Sequence, residues 1–172
     1  MNEKTLSRLD ALSVALLLLW LGMALGFAFL QAPTTFQVLG SRDLAGQVVG
    51  ATLRRLDWVA WGVFISVLGL SWGSRWLAEF QEKDGIGPLR LWSATVLAAL
   101  LMCFSSSFIL TPKLVATRAR MNGPVETFAH DHPDRVAYQK AHGFSRQMLI
   151  LRMLLALGLA VGVGFLPKKQ EG

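Results

Sequence analysis

The chain reads as all-α, an integral membrane bundle of four transmembrane helices with an interfacial or amphipathic helix between spans one and two. Three observations predict this. Of its 172 residues 53% are hydrophobic and 16% charged, whereas a soluble domain carries about 25% charged residues. The charge-free runs are long enough for a helix to cross a hydrocarbon core of about 30 Å. Tryptophans and basic residues gather at the ends of those runs, where a membrane meets water. The net charge of +6 therefore fits anionic headgroups and topology signals, and nucleic acid is not expected as a partner. The single cysteine, Cys103, lies in an apolar run and reads as a small buried hydrophobe.

The whole chain, 1–172, is expected to form one domain with spans at about 11–30, 56–76, 89–110 and 146–166. Span one, Ala11 to Leu30, is twenty uncharged residues. That exceeds a signal-peptide core of about 7–15 residues, so it reads as a retained helix. Gln31 and Pro33 mark its expected end. Ser41 is placed to cap a helix starting at Arg42, its hydroxyl accepting a bond from a free backbone N–H. The stretch that follows is weakly amphipathic, diluted by Gly46 and Gly50.

Span two has a charge-free run from Trp58 to Ser74, with Trp58 and Trp61 at one end and Trp72 and Trp76 at the other. A short charged turn, Glu79 to Gly87, leads to Pro88, a suitable first residue for span three. Within that span Ser105, Ser106 and Ser107 are expected to bond back to their own helix carbonyls rather than reach a neighbour. Thr111-Pro112-Lys113 closes it, and a basic helix runs on to the break at Asn122-Gly123-Pro124. The loop Phe128 to Asp134 contains His130 and His132, whose spacing defines no metal geometry. Pro133 then opens a long helix that becomes span four and ends at Lys168 and Lys169. No internal repeat stands out beyond glycines four apart, Gly22/Gly26, Gly69/Gly73 and Gly158/Gly162. These offer close-packing faces to neighbouring helices, in this chain, a second copy or a partner.

Four antiparallel spans bring the end of span one, the start of two, the end of three and the start of four to one membrane face. The unusual polar residues gather there. The candidate ligand-binding set is Gln31, Arg54, Arg55, Asp57, Thr111, Lys113, His142, Ser145, Arg146 and Arg152. Between Arg152 and Lys168 lie only fifteen uncharged residues, so Arg152 falls inside the bilayer boundary. A cation there is costly, about 2.5–3.5 kcal/mol at a helix centre, and calls for a partner. Asp57 is the acid at hand, pairing with Arg146 or Arg152, and the alternative is that Arg152 snorkels to the interface. The face holds nine Lys/Arg against seven on the other, which leans weakly to a cytoplasmic site face. No phosphate loop, nucleophile elbow or paired-carboxylate site appears, so an enzyme is not the expectation and no metal or cofactor is implied.

Three segments carry a family resemblance: WLGMALGFAFLQAPTTF at Trp20–Phe36, SFILTPKL at Ser107–Leu114 and YQKAHGFS at Tyr138–Ser145. They resemble the four-helix membrane domain of unknown function shared by bacterial proteins and eukaryotic transmembrane protein 205. The resemblance implies an integral multi-pass protein, in bacteria of the inner membrane, and little chemistry. The helix pattern is distantly similar to copper-resistance D-type proteins and the membrane protoporphyrinogen oxidase. Those want a histidine or metal ligand in the first helix, and this chain has none there. The leading expectation is thus a basic polar site at one membrane face that binds or moves a small anionic or amphipathic solute. The alternatives are a haem- or quinone-linked redox enzyme using His142, and an accessory subunit docking through the glycine faces.

Overall fold

The computed structural model describes residues 3–79 and 88–163. The charged turn at 80–87 and the closing lysines Lys168 and Lys169 lie outside the described residues, as do the side chains of Trp72 and Trp76. All regular structure among the described residues is helical. Helix α1 (Glu3–Gly26) passes through a π-helical turn, Phe27–Gln31, into α2 (Ala32–Val38). Helix α3 (Arg42–Glu79) follows. Helix α4 (Pro88–Phe104) passes through a second π-helical turn, Ser105–Leu110, into α5 (Thr111–Arg120). A 3-10 turn, Val125–Thr127, precedes α6 (Pro133–Gly162).

Two expected helix ends are corrected. Pro33 and Pro112 do not stop their helices but stand in the first turn of α2 and α5, each directly after a π turn. A proline lacks the N–H for the i−4 carbonyl and its ring crowds that carbonyl. Widening the preceding turn relieves the crowding, and the residue before each proline bonds five back: Ala32 N–H to Phe27 O, and Thr111 N–H to Ser106 O. The chain thereby stays helical through both sites.

A helix does start at Arg42, as expected, and runs on without a break into the stretch of span two. Residues 42–55 are not a separate element but the first part of α3, which is unbroken for 38 residues, roughly 57 Å long at 1.5 Å per residue. Ser41 does cap it: the Leu44 N–H donates to Ser41 Oγ at 3.3 Å. Among the described residues three stretches are long and apolar enough to cross a membrane: Ser7–Val38, Arg90–Arg120 and Pro133–Gly162.

The element order of the first half recurs in the second: a long apolar helix, a π turn, a short proline-started helix, a connection and a long helix. Around the two π turns, residues 24–36 and 103–115 share only Phe29 with Phe108 and Pro33 with Pro112 at matching places. A repeat so thin in residues was not legible as one.

Packing follows the apolar spacing. Helix α1 packs on α3 and α6, and α4 packs on the same two, so α3 and α6 face each other across the centre. The buried residues step by four and three: Leu17, Trp20 and Ala24 on α1, continued by Phe27 in the π turn; Leu56, Ala60, Val63 and Val67 on α3; Trp92, Val96, Ala99 and Cys103 on α4. This is the spacing of knobs-into-holes seams. Trp20 and Phe64 meet with ring centroids 5.4 Å apart. On α6 the same spacing runs Leu149, Arg152, Ala156, Leu159 and Val163, so an arginine occupies a core register position. Trp92 donates its indole N–H to Leu159 O at 3.3 Å, and Gly162 leaves room for that ring: a Cβ there would lie 3.4 Å from Trp92 Cδ1. By contrast a Cβ at Gly22, Gly26, Gly69 or Gly158 would meet no atom within 4 Å.

The connections at one end are tied by charge. Arg118 on α5 donates Nε to Asp43 Oδ1 at 2.8 Å and also binds that oxygen through Nη2. Its Nη1 donates to the carbonyls of Met121 and Gly123, at 3.0 and 2.6 Å. Gly123 has φ +152°, a backbone region that favours glycine, which turns the chain so that its carbonyl reaches Arg118. Arg120 pairs with Asp134 at 2.9 Å, and Arg135 donates to Phe128 O, fixing the loop before α6.

Candidate functional site

Arg152 is 1% exposed and Asp57 3%, and their Nη1 and Oδ1 atoms are 2.7 Å apart. Of the two expected partners for Asp57, Arg152 takes the place; Arg146 is exposed on the outer side of α6. Snorkelling is thereby overturned. Arg152 reaches inward because its register on α6 is that of Leu149 and Ala156, and the first atoms it meets belong to the opposite helix, α3.

Two residues complete the pair that were not in the expected set. Ser106 donates Oγ–H to Asp57 Oδ2 at 2.7 Å. Cys103, fully buried, accepts from Arg152 Nη1 at 3.5 Å. The expectation that the serines bond back to their own carbonyls is corrected for two of the three: Ser106 reaches Asp57, and Ser107 accepts from the Trp61 indole N–H at 3.4 Å. The reason is the π turn they occupy. Its wider winding frees backbone groups and turns successive side chains toward α3, where Ser106 finds a carboxylate, a stronger acceptor than a helix carbonyl, and Ser107 meets the Trp61 indole. The heptad spacing Cys103, Ser106, Leu110 contained the signal, since it continues the buried face of α4.

The pair retains bonding capacity. Asp57 Oδ1 lies beside Arg152 Nη1 without an N–H aligned to it, and Arg152 Nε is buried with no hydrogen-bond partner among the described residues. Beside Asp57 a recess of about 60 Å³ opens between α3 and the second π turn, lined by Arg54, Asp57, Trp58, Ser107, Phe108 and Thr111. That volume suits a few waters or part of a polar headgroup; a site holds one water in about 10–15 Å³ by such a measure.

The remaining candidates divide. Arg54 and Thr111 join Asp57 at the recess. Gln31, at the end of the first π turn, donates to Thr52 Oγ1 on α3 at 3.3 Å and stands apart from the pair. Ser145 is buried on α6, two turns before Arg152. Arg55, Lys113, His142 and Arg146 are exposed and are not brought to the recess. The His142 ring stacks on Tyr138, centroids 6.2 Å apart, and His132 packs against Phe128. Among the described residues no group of three or more His, Cys, Asp or Glu side chains is arranged to hold a metal.

Residues 15–123 match the model of a domain of unknown function, DUF4149. The chain belongs to that family. The DUF4149 segment carries Asp57, Ser106, Cys103, Arg54 and Thr111 and ends before α6, so Arg152 reaches into the matched segment from outside it. Curated proteins and solved structures gave no match. The family assignment fits a multi-pass, membrane-embedded helical protein and carries no activity with it.

Proposed function

We propose that this DUF4149 protein is a four-span membrane protein, related to the transmembrane protein 205-like domain, that binds a small anionic or amphipathic solute at the recess beside Asp57. Helix α3 is the fourth crossing. Its charge-free run begins at Trp58, and it is flanked on both sides by helices apolar enough to span. At roughly 57 Å it is longer than the hydrocarbon core, so its first turns, with Arg42 and Asp43, stand in water.

The observation that carries the reading is the Asp57–Arg152 pair. Ionised groups inside a membrane bundle are expensive and stand at ligand or ion paths by default. A buried pair contributes little net stability over apolar residues of the same size, because desolvation offsets the attraction. This pair, moreover, keeps polar atoms without hydrogen bonds, and its acid, Asp57, lines a recess that opens to the surface. Arg54 supplies the recess with a cation that no acid among the described residues neutralises, while Arg152 offsets Asp57 from behind. The hydroxyls of Ser107 and Thr111 add neutral hydrogen-bonding groups suited to phosphate or carboxylate oxygens.

Trp58 lines the recess and reports on it. In detergent, titration with octyl phosphate is expected to change tryptophan emission saturably, and Trp58→Phe is expected to remove the change. Arg54→Gln is expected to weaken the affinity about ten-fold or more, the loss of one charge-assisted hydrogen bond. Identical titrations for the parent protein and Arg54→Gln would contradict the reading.

A further inference from the structure

We infer that the occupant of this recess is an anionic phospholipid, which enters sideways from the bilayer along the seam between α3 and α4; the inference rests on the solute-binding reading above. The recess does not stand alone. One turn below Arg54 on α3 is Trp58, 63% exposed, and it meets Phe108 of the π turn edge to face at 6.5 Å. Phe108, 53% exposed, meets Phe104 at 5.0 Å, and Leu101 continues the exposed line down α4. From Thr111 to Leu101 this apolar track runs about 15 Å along the helix axis. At its upper end the surface turns abruptly to Arg54 and Thr111. A long apolar track closed at one end by a cation and hydroxyls matches a molecule with one anionic head and an acyl chain.

Charge argues for an anionic headgroup over a zwitterionic one. At this membrane face Arg118, Arg120 and Arg42 have acidic partners in Asp43, Asp134 and Glu126. Arg54, Arg55, Lys113 and Arg146 have none among the described residues, and three of them flank the recess in sequence on α3 and α5. Uncompensated cations at a headgroup level attract anionic lipid. The size of the recess fits too, since a headgroup needs only to insert part of its phosphate while its chains stay in the bilayer.

The test is lipid retention by the intact protein, read by native mass spectrometry from detergent. The probes are dioctanoyl phosphatidylglycerol, dioctanoyl phosphatidylcholine and glycerol phosphate. Phosphatidylglycerol is expected to be retained about five-fold or more over phosphatidylcholine, the size of one cation's preference at an anionic surface. Arg54→Gln is expected to abolish that preference, and Phe108→Ala to weaken both lipids while leaving the head preference in place. Glycerol phosphate binding as tightly as phosphatidylglycerol, with loss in Arg54→Gln, would overturn the lipid assignment and leave the solute reading standing. Retention of both lipids to the same extent, unaffected by Arg54→Gln, with no binding of glycerol phosphate, would overturn both.

Discussion

Among the described residues two Arg–Asp pairs join α3 to a later helix, and they sit in opposite environments. Arg118 meets Asp43 where α3 begins, about a quarter exposed, with two backbone carbonyls accepting from its Nη1. Arg152 meets Asp57 in the packed centre, almost fully buried, with one serine, one thiol and unbonded atoms around it. In the first pair all three guanidinium nitrogens donate, and it ties two connections together. The second is unsaturated and occupies a register that leucine or alanine would fill at less cost. The difference separates a structural clamp from a candidate site: where every guanidinium nitrogen is bonded, the pair explains itself by the fold it closes. Where polar atoms are left over and the carboxylate lines a recess, the fold alone does not explain the charge.

The largest effect that tests this contrast comes from splitting the buried pair. Either Arg152→Met or Asp57→Leu alone is expected to destabilise the protein by about 3–5 kcal/mol, because one charge is left buried without a partner. Thermal unfolding in detergent measures it. If the single variants melt with the parent protein, the pair is not buried as described. Next in size is Ser106→Ala, which removes a hydrogen bond to an ionised acceptor. It is expected to cost about 1.5–3 kcal/mol, and a value near zero would mean that water replaces the hydroxyl readily.

Arg118→Met is expected to cost about 1–2 kcal/mol, the full value of its charged bonds being reduced by exposure. Salt sharpens the comparison here. Raising ionic strength should weaken the clamp and leave the buried pair unaffected, since screening acts through solvent. Equal salt sensitivity of the two couplings would erase the distinction. The smallest expected effect is that of Ser41→Ala, about 1 kcal/mol for the loss of a helix cap, again read from unfolding.

What was legible in the sequence follows from the strength of local rules. The start of α3 at Arg42, the start of α6 at Pro133 and the break at Gly123 each rest on a residue whose backbone chemistry leaves few choices. Asp57 was legible as the acid to partner an arginine inside the boundary, because so few charges lie near it. The prolines misled: a proline that ends a helix and one that follows a π turn present the same residues, and the neighbouring helices decide between them. His142 and Arg146 entered the candidate set because they stand near the start of span four, at the same membrane face as the other polar residues. The finer four-and-three register separates them, leaving Ser145 and Arg152 inside and those two outside. Ser106 and Cys103 escaped notice because serine and cysteine in an apolar helix look like packing residues. Only their place on the face turned to Asp57 gives them a role.

The central claim is that the buried pair belongs to a binding site and is not needed to hold the bundle together. Octyl phosphate titration of the double variant Asp57→Leu/Arg152→Met, on protein shown to be folded, tests it most directly. An apolar pair of similar volume is expected to restore much of the stability lost in the single variants. The account predicts that this restored protein binds octyl phosphate at least about ten-fold more weakly than the parent, because the polar wall that Asp57 gives the recess is lost although Arg54 remains. Undiminished binding by the folded double variant would contradict it.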